Sequence, residues 1–298
     1  MTTDMKWISI IITTIITVMF PYNASAKSVI VDGIKYELYS DTDNHATVIL
    51  MSAAKNHEKY KGDIVIPEYI ENKGTKYRVT EISGAFQSCV DLISVSIPNT
   101  VVSIKQSAFY GCKKLKKITL PPNLLHIGQA AFRYCTSLES IKIPATVTVI
   151  DNYAFEGCSS LRSLEIPNSV KTIGDFAFAD CTGLQVIVLS DATETIGSKA
   201  FFNCSKLESL TFPAQVKSIG YFVIYECKSL KYVECKGMNP PRYEDDPFAP
   251  LKDGQTQKQE REIARQFDYS IPLYVPKERV IKYKAAEFWR AFPDIRER

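Results

Sequence analysis

Eight cysteines are the residues of this 298-residue chain with the most chemistry to offer. Seven recur every 23 residues, at Cys89, Cys112, Cys135, Cys158, Cys181, Cys204 and Cys227. The eighth, Cys235, breaks the interval and is most simply a core residue. Regularly spaced thiols could ligate a metal, form disulfides or pack as small apolar side chains.

The spacing favours one of these three roles. A metal site needs several converging ligands, commonly a C-x-x-C pair, whereas each interval supplies one thiol. Equivalent cysteines of neighbouring units could approach bridging distance, but their Cβ vectors would run parallel, which suits a disulfide poorly. We interpret the seven as a structural core column of reduced thiols, while a partial disulfide content stays open for an exported chain.

Other residues that could support catalysis are sparse. The three histidines are His45, His57 and His126, and the sequence contains no motif of a serine hydrolase, a zinc protease or a nucleotide-binding loop. The net charge of +3 is too small to favour nucleic-acid binding. With 45% hydrophobic residues the chain can bury a core, which excludes a disordered protein. We expect no catalytic residues, no metal, no cofactor and no nucleic-acid partner.

The cysteine interval belongs to a repeat with several other fixed columns. Phenylalanine stands three residues before six of the seven cysteines, with Ile224 as the exception, and leucine stands three residues after all seven. Apolar and polar residues then alternate over a short segment, which predicts a strand with one buried face, and proline usually ends it. The few apolar side chains of one unit cannot offset the entropy of ordering 23 residues, so we expect the units to stack.

Both ends of the repeat differ from its middle. Strand patterns between residues 28 and 51 predict a β meander before the array. After the array, a charged insertion precedes the strand pattern at residues 273–276. The apolar residues Ile281, Ala285, Phe288, Trp289 and Phe292 then follow at helical spacing. We predict an N-terminal β cap over 27–78, a seven-unit array over 79–235, and an irregular last repeat with insertion and a C-terminal helical cap over 236–298.

The first 26 residues have the pattern of a secretory signal peptide. The apolar run at residues 7–20 spans about 21 Å as a helix, which is shorter than the hydrocarbon core of a bilayer. It is followed by Ala24-Ser25-Ala26, an A-x-A cleavage pattern. We predict export through a signal peptide at 1–26 and no transmembrane span in the mature chain; an uncleaved membrane anchor is the alternative.

The A-F-x-x-C-x-x-L-x-x-I-x-I-P unit of 23 residues resembles that of the BspA-type leucine-rich repeat family of secreted and surface bacterial proteins. The segment at residues 273–276, with Val280, Tyr283 and Trp289 after it, strengthens the resemblance. It implies a β-rich solenoid, a right-handed leucine-rich repeat array with a parallel concave sheet. It also implies a secreted or cell-surface protein, since some members are adhesins for host matrix or other cells. The family offers no fixed binding motif to transfer to this chain.

The outward residues of the predicted strands form the candidate binding face. These residues are Ser94, Ser96, Lys117, Thr119, Ser140, Lys142, Ser163, Glu165, Val186, Val188, Ser209, Thr211, Tyr232 and Glu234. They are mostly small, hydroxylated or mixed in charge, which also fits a solvated face without a ligand. Two features stand out, the exposed pair Val186 and Val188 and the lysine cluster Lys113, Lys114, Lys116 and Lys117.

Three functions are compatible with this sequence. The first is a non-catalytic interaction protein that binds a protein or glycan, on host matrix or another cell surface, through the strand face. The second is a structural component of an envelope or extracellular assembly. The third is a glycan-active enzyme, which would need two carboxyl groups about 5–10 Å apart in a cleft.

Overall fold

The computed structural model describes residues 27–40, 43–49, 60–244, 270–286 and 289–298. The predicted signal peptide, His57 and most of the predicted insertion therefore lie outside the described residues. The described strands are β1 Lys27–Val31, β2 Ile34–Tyr39, β3 His45–Ile49, β4 Gly62–Val65, β5 Tyr69–Asn72, β6 Thr75–Ser83, β7 Leu92–Ser96, β8 Ser103–Ile104, β9 His126–Ile127, β10 Val149–Ile150, β11 Ser163–Glu165, β12 Thr172–Ile173, β13 Val186–Val188, β14 Thr195–Ile196, β15 Ser209–Phe212, β16 Ser218–Gly220, β17 Tyr232–Cys235, β18 Arg242–Glu244, β19 Leu273–Val275 and β20 Ile295–Glu297. The described helical segments are α1 Val280–Ala285 and a 3₁₀ turn at Trp289–Ala291.

The N-terminal strands form an antiparallel meander that joins the repeat sheet. Strand β2 pairs with β1 and β3, and β3 then lies parallel to β6. Strand β5 pairs with β6 in the antiparallel sense, and β6 continues into parallel pairing with β8. Because β6 spans the predicted boundary at 78/79, the meander and the array share one sheet.

The repeats contribute two columns of parallel strands. The first column runs β6-β8-β9-β10-β12-β14-β16-β18 and pairs equivalent isoleucines of successive units, such as Ile150 with Ile173 and Ile173 with Ile196. The second column follows the leucines, in the pairs β4–β7 and β11–β13 and the sheet β15-β17-β19-β20. The predicted stack of repeat units with parallel strands is confirmed.

Identical side chains lie above one another in the core. Leu115, Leu138 and Leu161 are completely buried. The six repeat phenylalanines, from Phe86 to Phe201, form a continuous stack with ring centroids 5.1–5.7 Å apart and planes within 6° of parallel. Each burial stabilises the fold by roughly 1.5–3 kcal/mol, and each ring pair adds about 0.5–1.5 kcal/mol. Both contributions depend on the neighbouring unit.

The segments between the strand columns are tight turns with two left-handed positions per unit. The first position has φ between 54° and 60° at Ser107, Ala130, Tyr153, Phe176, Lys199 and Phe222. The second has φ between 53° and 72° at Ser88, Gly111, Tyr134, Gly157, Asp180, Asn203 and Glu226. We call the outer side of these turns the turn face. Non-glycine residues rarely adopt this region, so the neighbouring units must hold the turns in place.

The C-terminal end of the chain differs from the predicted helical cap. The predicted amphipathic helix across residues 281–292 is wrong, because α1 ends at Ala285, Ala286 has extended backbone and the chain finishes in strand β20. Ile281 is 82% exposed, whereas Tyr283 is buried and donates its hydroxyl to the carbonyl oxygen of Gly237 at 2.8 Å. Trp289 and Phe292 are buried as expected, and Phe288 lies outside the described residues.

Candidate functional site

The fourteen candidate binding residues project from one side of the second strand column, which we call the strand face. None of them is buried; nine are exposed and five are partly exposed. Cross-strand pairing brings together Ser96 with Thr119, Lys117 with Ser140, Ser163 with Val186, Glu165 with Val188, Ser209 with Tyr232 and Thr211 with Glu234. The alternation follows from strand geometry, since the residues between them, such as Leu164 and Ile187, point into the core.

An apolar spot lies midway along the strand face. Val186 and Val188 are 53% and 54% exposed, while Ile187 between them is buried. Their partners on β11 are Ser163 and Glu165, so the valines are bordered by polar side chains. Two adjacent exposed β-branched residues leave apolar surface that a partner could remove from water.

The units that precede this spot in the chain are basic. Five of their cations, in the strand-face segments or in the residues just before them, are exposed and form no ion pair within the described ranges: Lys113, Lys116, Lys117, Lys142 and Arg162. Lys114 differs, because its Nζ lies 2.7 Å from Asp91 Oδ1. The hydrogen bond from Lys114 also lowers the pKa of the Asp91 carboxyl group. Lys114 is thus neutralised, whereas the other cations are available to a partner.

The other side of the spot is aromatic. The rings of Tyr232 and Tyr274 meet edge to face at 5.7 Å, and the Arg298 guanidinium lies 5.6 Å from the Tyr274 ring centroid. Arg298 also forms an ion pair with Glu234 at 3.3 Å, and the Thr211 hydroxyl donates to Glu234 at 3.2 Å. Sequence reasoning missed Tyr274 and Arg298. The alternation of Tyr274 with buried Leu273 and Val275 was the available signal.

The cysteine column lies inside the solenoid rather than at a reactive surface. All eight cysteines are buried and unbridged. Six of them donate their S–H to the carbonyl oxygen of the phenylalanine 26 positions earlier, at 3.1–3.2 Å; an example is Cys158 to Phe132. Among the described residues no group of three or more histidine, cysteine, aspartate or glutamate side chains could hold a metal.

Burial keeps these thiols protonated. Desolvation raises the pKa of Cys135, Cys158, Cys181, Cys204 and Cys235. For Cys112 the hydrogen bond with the Cys135 thiol raises the pKa most, and burial adds to it. A thiolate is the nucleophilic and metal-binding form, so the column as it stands in the fold is poorly suited to either chemistry.

The turn face carries an aromatic seam that sequence reasoning missed. The Arg133 guanidinium lies 4.9 Å from the ring centroids of both Tyr134 and Tyr153 and forms an ion pair with buried Glu156 at 2.6 Å. Tyr153 stacks on Phe176 at 5.0 Å, and the Lys199 ammonium follows at 5.3 Å from the Phe176 centroid. These charged and aromatic groups contact one another across successive units, so we interpret the seam as structural.

Comparison with known proteins identifies the class of protein. The BspA type leucine rich repeat region matches residues 80–185 and 125–239, in six copies. The chain belongs to this family, which confirms the resemblance seen in the sequence. A search of curated proteins finds no match to this chain.

Solved bacterial structures support the same assignment. A leucine-rich repeat protein from Bacteroides ovatus is 32% identical, with a TM-score of 0.61, over 70% of this chain and 55% of that one. A leucine rich cell surface protein from Faecalibacterium prausnitzii is 30% identical, with a TM-score of 0.62, over 73% and 57%. A leucine-rich repeat protein from Eubacterium ventriosum, 23% identical over 68% and 50% with a TM-score of 0.54, shows the fold alone. This chain spans little more than half the length of the first two.

Proposed function

We propose that the chain is a non-catalytic interaction protein, secreted or displayed at the cell surface, that binds a protein or glycan partner through the strand face. The observation that carries this proposal is the exposed Val186 and Val188 pair, since the other candidate residues of the face are hydroxylated, charged or, at Tyr232, aromatic. Membership of a repeat family supports an interaction role, because repeat scaffolds bind through extended exposed surfaces.

Surface localisation draws on two observations. The related protein from Faecalibacterium prausnitzii is a leucine rich cell surface protein. Residues 1–26 have the pattern of a cleaved export signal. Separately, no helix among the residues that the structure describes is long and apolar enough to cross a membrane. Mass spectrometry of the exported protein should find Lys27 at its N-terminus, and a chain that still began at Met1 would contradict cleavage.

The proposal includes the organisation expected from the sequence: a right-handed array over 79–235 between an N-terminal β cap over 27–78 and a capped irregular repeat over 236–298. Repeat arrays expose apolar surface at their ends unless an atypical unit covers it. The meander β1–β3 and the segment from β19 to β20 are the described elements that could do so. Limited proteolysis should leave 27–78 attached to the array.

The binding role can be tested by capture from extracts. The chain from Lys27 onward is immobilised and exposed to host-matrix and bacterial-surface extracts, alongside the double variant Val186→Ser/Val188→Ser. We expect the double variant to capture about tenfold less partner, because each valine loses apolar contact worth about 0.7 kcal/mol. Val149→Ser is the matched control, since Val149 is 37% exposed but belongs to the other strand column. If the double variant and the control capture equal amounts of partner, and their melting temperatures are unchanged, the strand face is excluded as the binding site.

A second candidate is a structural component of an extracellular assembly. Within the described residues β20 is the last strand of its sheet and pairs only with β19, which leaves one edge open. An open edge is a template for pairing with another chain. Light scattering at increasing concentration tests this role: growth in mass that Ile295→Pro abolishes would support it, and a constant monomer mass would exclude it.

A further inference from the structure

Along the array, the side chains of the strand face change from basic, through the apolar valine spot, to aromatic. The basic residues Lys113, Lys116, Lys117, Lys142 and Arg162, which we call the basic patch, lie on or next to the face together with two carboxylates, Glu139 and Glu165, that form no ion pair among the described residues. The net charge of these seven side chains is about +3. Interspersed exposed charges on a repeat surface usually pair across units, as Lys231 does with Glu208 at 2.7 Å. The basic patch departs from that pattern.

The valine spot lies within reach of the basic patch. Lys117 and Val186 stand in the same column, three strands apart, and Lys142 and Val188 stand two strands apart in the next column. With parallel strands about 4.8 Å apart, these separations are roughly 14 Å and 10 Å. An extended polypeptide advances about 3.3 Å per residue, so about four residues connect the two features.

The aromatic end favours a peptide over an anionic glycan as the occupant. Tyr232 and Tyr274 pack against each other and under Arg298, so their ring faces are already used and offer little platform for a sugar. Glu234 and Arg298 neutralise each other there. A polyanionic glycan would satisfy the basic patch but would gain nothing from the exposed valines. A polypeptide supplies both carboxylates and apolar side chains.

We propose that the strand face binds an extended acidic segment of a partner protein, with its carboxylates on the basic patch and an apolar side chain, about four residues away, on Val186 and Val188. This inference rests on the proposed function and specifies its partner. Complementary charge would accelerate association and set the register, while valine burial would slow dissociation.

The experiment uses fluorescence anisotropy with the chain from Lys27 onward. The probe is a labelled peptide of three glutamates, a Gly-Ser-Gly spacer, two leucines and two serines. We expect saturable binding that weakens as salt is raised from about 0.05 to 0.5 M, because exposed charges are screened. Lys117→Glu should weaken binding about tenfold, since reversal replaces an attraction with a repulsion. Val186→Ser/Val188→Ser should weaken binding by a similar factor.

Matched controls isolate each contribution. Lys171→Glu changes the net charge equally but lies before β12, in the other strand column, and should leave binding unchanged. A probe with lysines in place of the glutamates should not bind. Polygalacturonate serves as a glycan probe: if it binds as tightly as the peptide, and the valine substitutions do not matter, the acidic-segment proposal is overturned.

The two experiments also distinguish the acidic-segment proposal from the broader proposal that the strand face binds a protein or glycan partner. If the valine substitutions abolish capture from extracts but the acidic probe does not bind, the strand face is an interaction site for a different kind of partner. If neither measurement responds to substitutions on the strand face, both proposals fail.

Discussion

Single residues in the core do more than fill space, and the cysteine column shows this best. A buried cysteine such as Cys158 packs in the core and also donates its S–H to a backbone carbonyl oxygen of the preceding unit. Such weak bonds contribute about 0.5–1 kcal/mol each. A disulfide between neighbouring units would remove two of these donors. These hydrogen bonds therefore favour free thiols over disulfides. The spacing of the cysteines in the sequence did not reveal this reason.

The same burial predicts a pH dependence. Burial raises the pKa of Cys158 in the fold well above that of an unfolded thiol, which is about 8.5. The folded chain thus holds a proton that the unfolded chain releases above that pH, so stability is complete below pH 8.5 and falls as pH rises. Each such thiol contributes a slope of about 1.4 kcal/mol per pH unit.

Cys158→Ser should reduce that slope by the share of one thiol, because a serine hydroxyl does not ionise in this range but can still donate to the Phe132 carbonyl oxygen. Urea unfolding from pH 7 to pH 10 in a reductant measures the free energy of unfolding for both chains. Tyrosines with raised pKa, such as Tyr283, affect both chains equally and cancel in the comparison. Parallel curves above pH 9 would contradict a protonated buried thiol.

At the scale of elements, the close approach of successive units restricts which residues can follow the first strand column. Gly174 comes directly after β12, where a Cβ atom would lie 2.6 Å from the backbone nitrogen of Asn152 and 2.8 Å from the carbonyl carbon of Asp151. Because glycine has no Cβ atom, the turn of one unit can pack closely against the turn of the unit before it. The isoleucine strands can then pair in register on both sides.

Gly174→Ala should therefore destabilise the fold by about 1–3 kcal/mol, because the neighbouring backbone must move to accept a methyl group. Thermal unfolding followed by circular dichroism measures the change. Gly111→Ala is the useful comparison, since the nearest atom there is 3.7 Å away and only its φ of 71° is unfavourable. We expect a smaller loss at Gly111, near 1 kcal/mol. Equal losses at both positions would show that close approach is not what limits Gly174.

These elements also show what the sequence could and could not predict. The extended segment after each leucine and its exposed side were predictable, because alternation with period two survives in every unit. After Leu115 and Leu138 this segment forms isolated bridges rather than a strand. The isoleucine strands were missed because a two-residue strand such as β12 has too few residues to show alternation. The seam around Arg133 was missed because its columns vary in residue type from unit to unit, with Glu156 following Arg133 and Phe176 following Tyr153. Tyr274 and Arg298 reach the strand face from beyond the regular array. Alternation marks Tyr274 as outward-facing, but no local pattern places either residue beside Tyr232 and Glu234.

At the scale of the whole molecule, stability is a property of the stack. The Phe86–Phe201 ring stack, the thiol-to-carbonyl bonds and both strand columns all connect one unit to the next. No unit contains a core of its own, so its folding free energy comes from its two interfaces. The strand face is rigid for the same reason, and each of its columns is held at the strand spacing.

This organisation predicts that the array tolerates loss of one whole unit but not of part of one. Deleting residues 159–181 joins Cys158 to Thr182 and restores the interval of the repeat, so Cys204 can donate to Phe155 as Cys181 does now. We expect a folded chain whose melting temperature falls by about 5 °C, since one interface is lost. Deleting residues 159–178 removes fewer residues but shifts every later column by three positions relative to the earlier ones. That variant should unfold at a much lower temperature or aggregate, as judged by circular dichroism and size-exclusion chromatography. If the shorter deletion were the more stable of the two, register between units would not be what holds this molecule together.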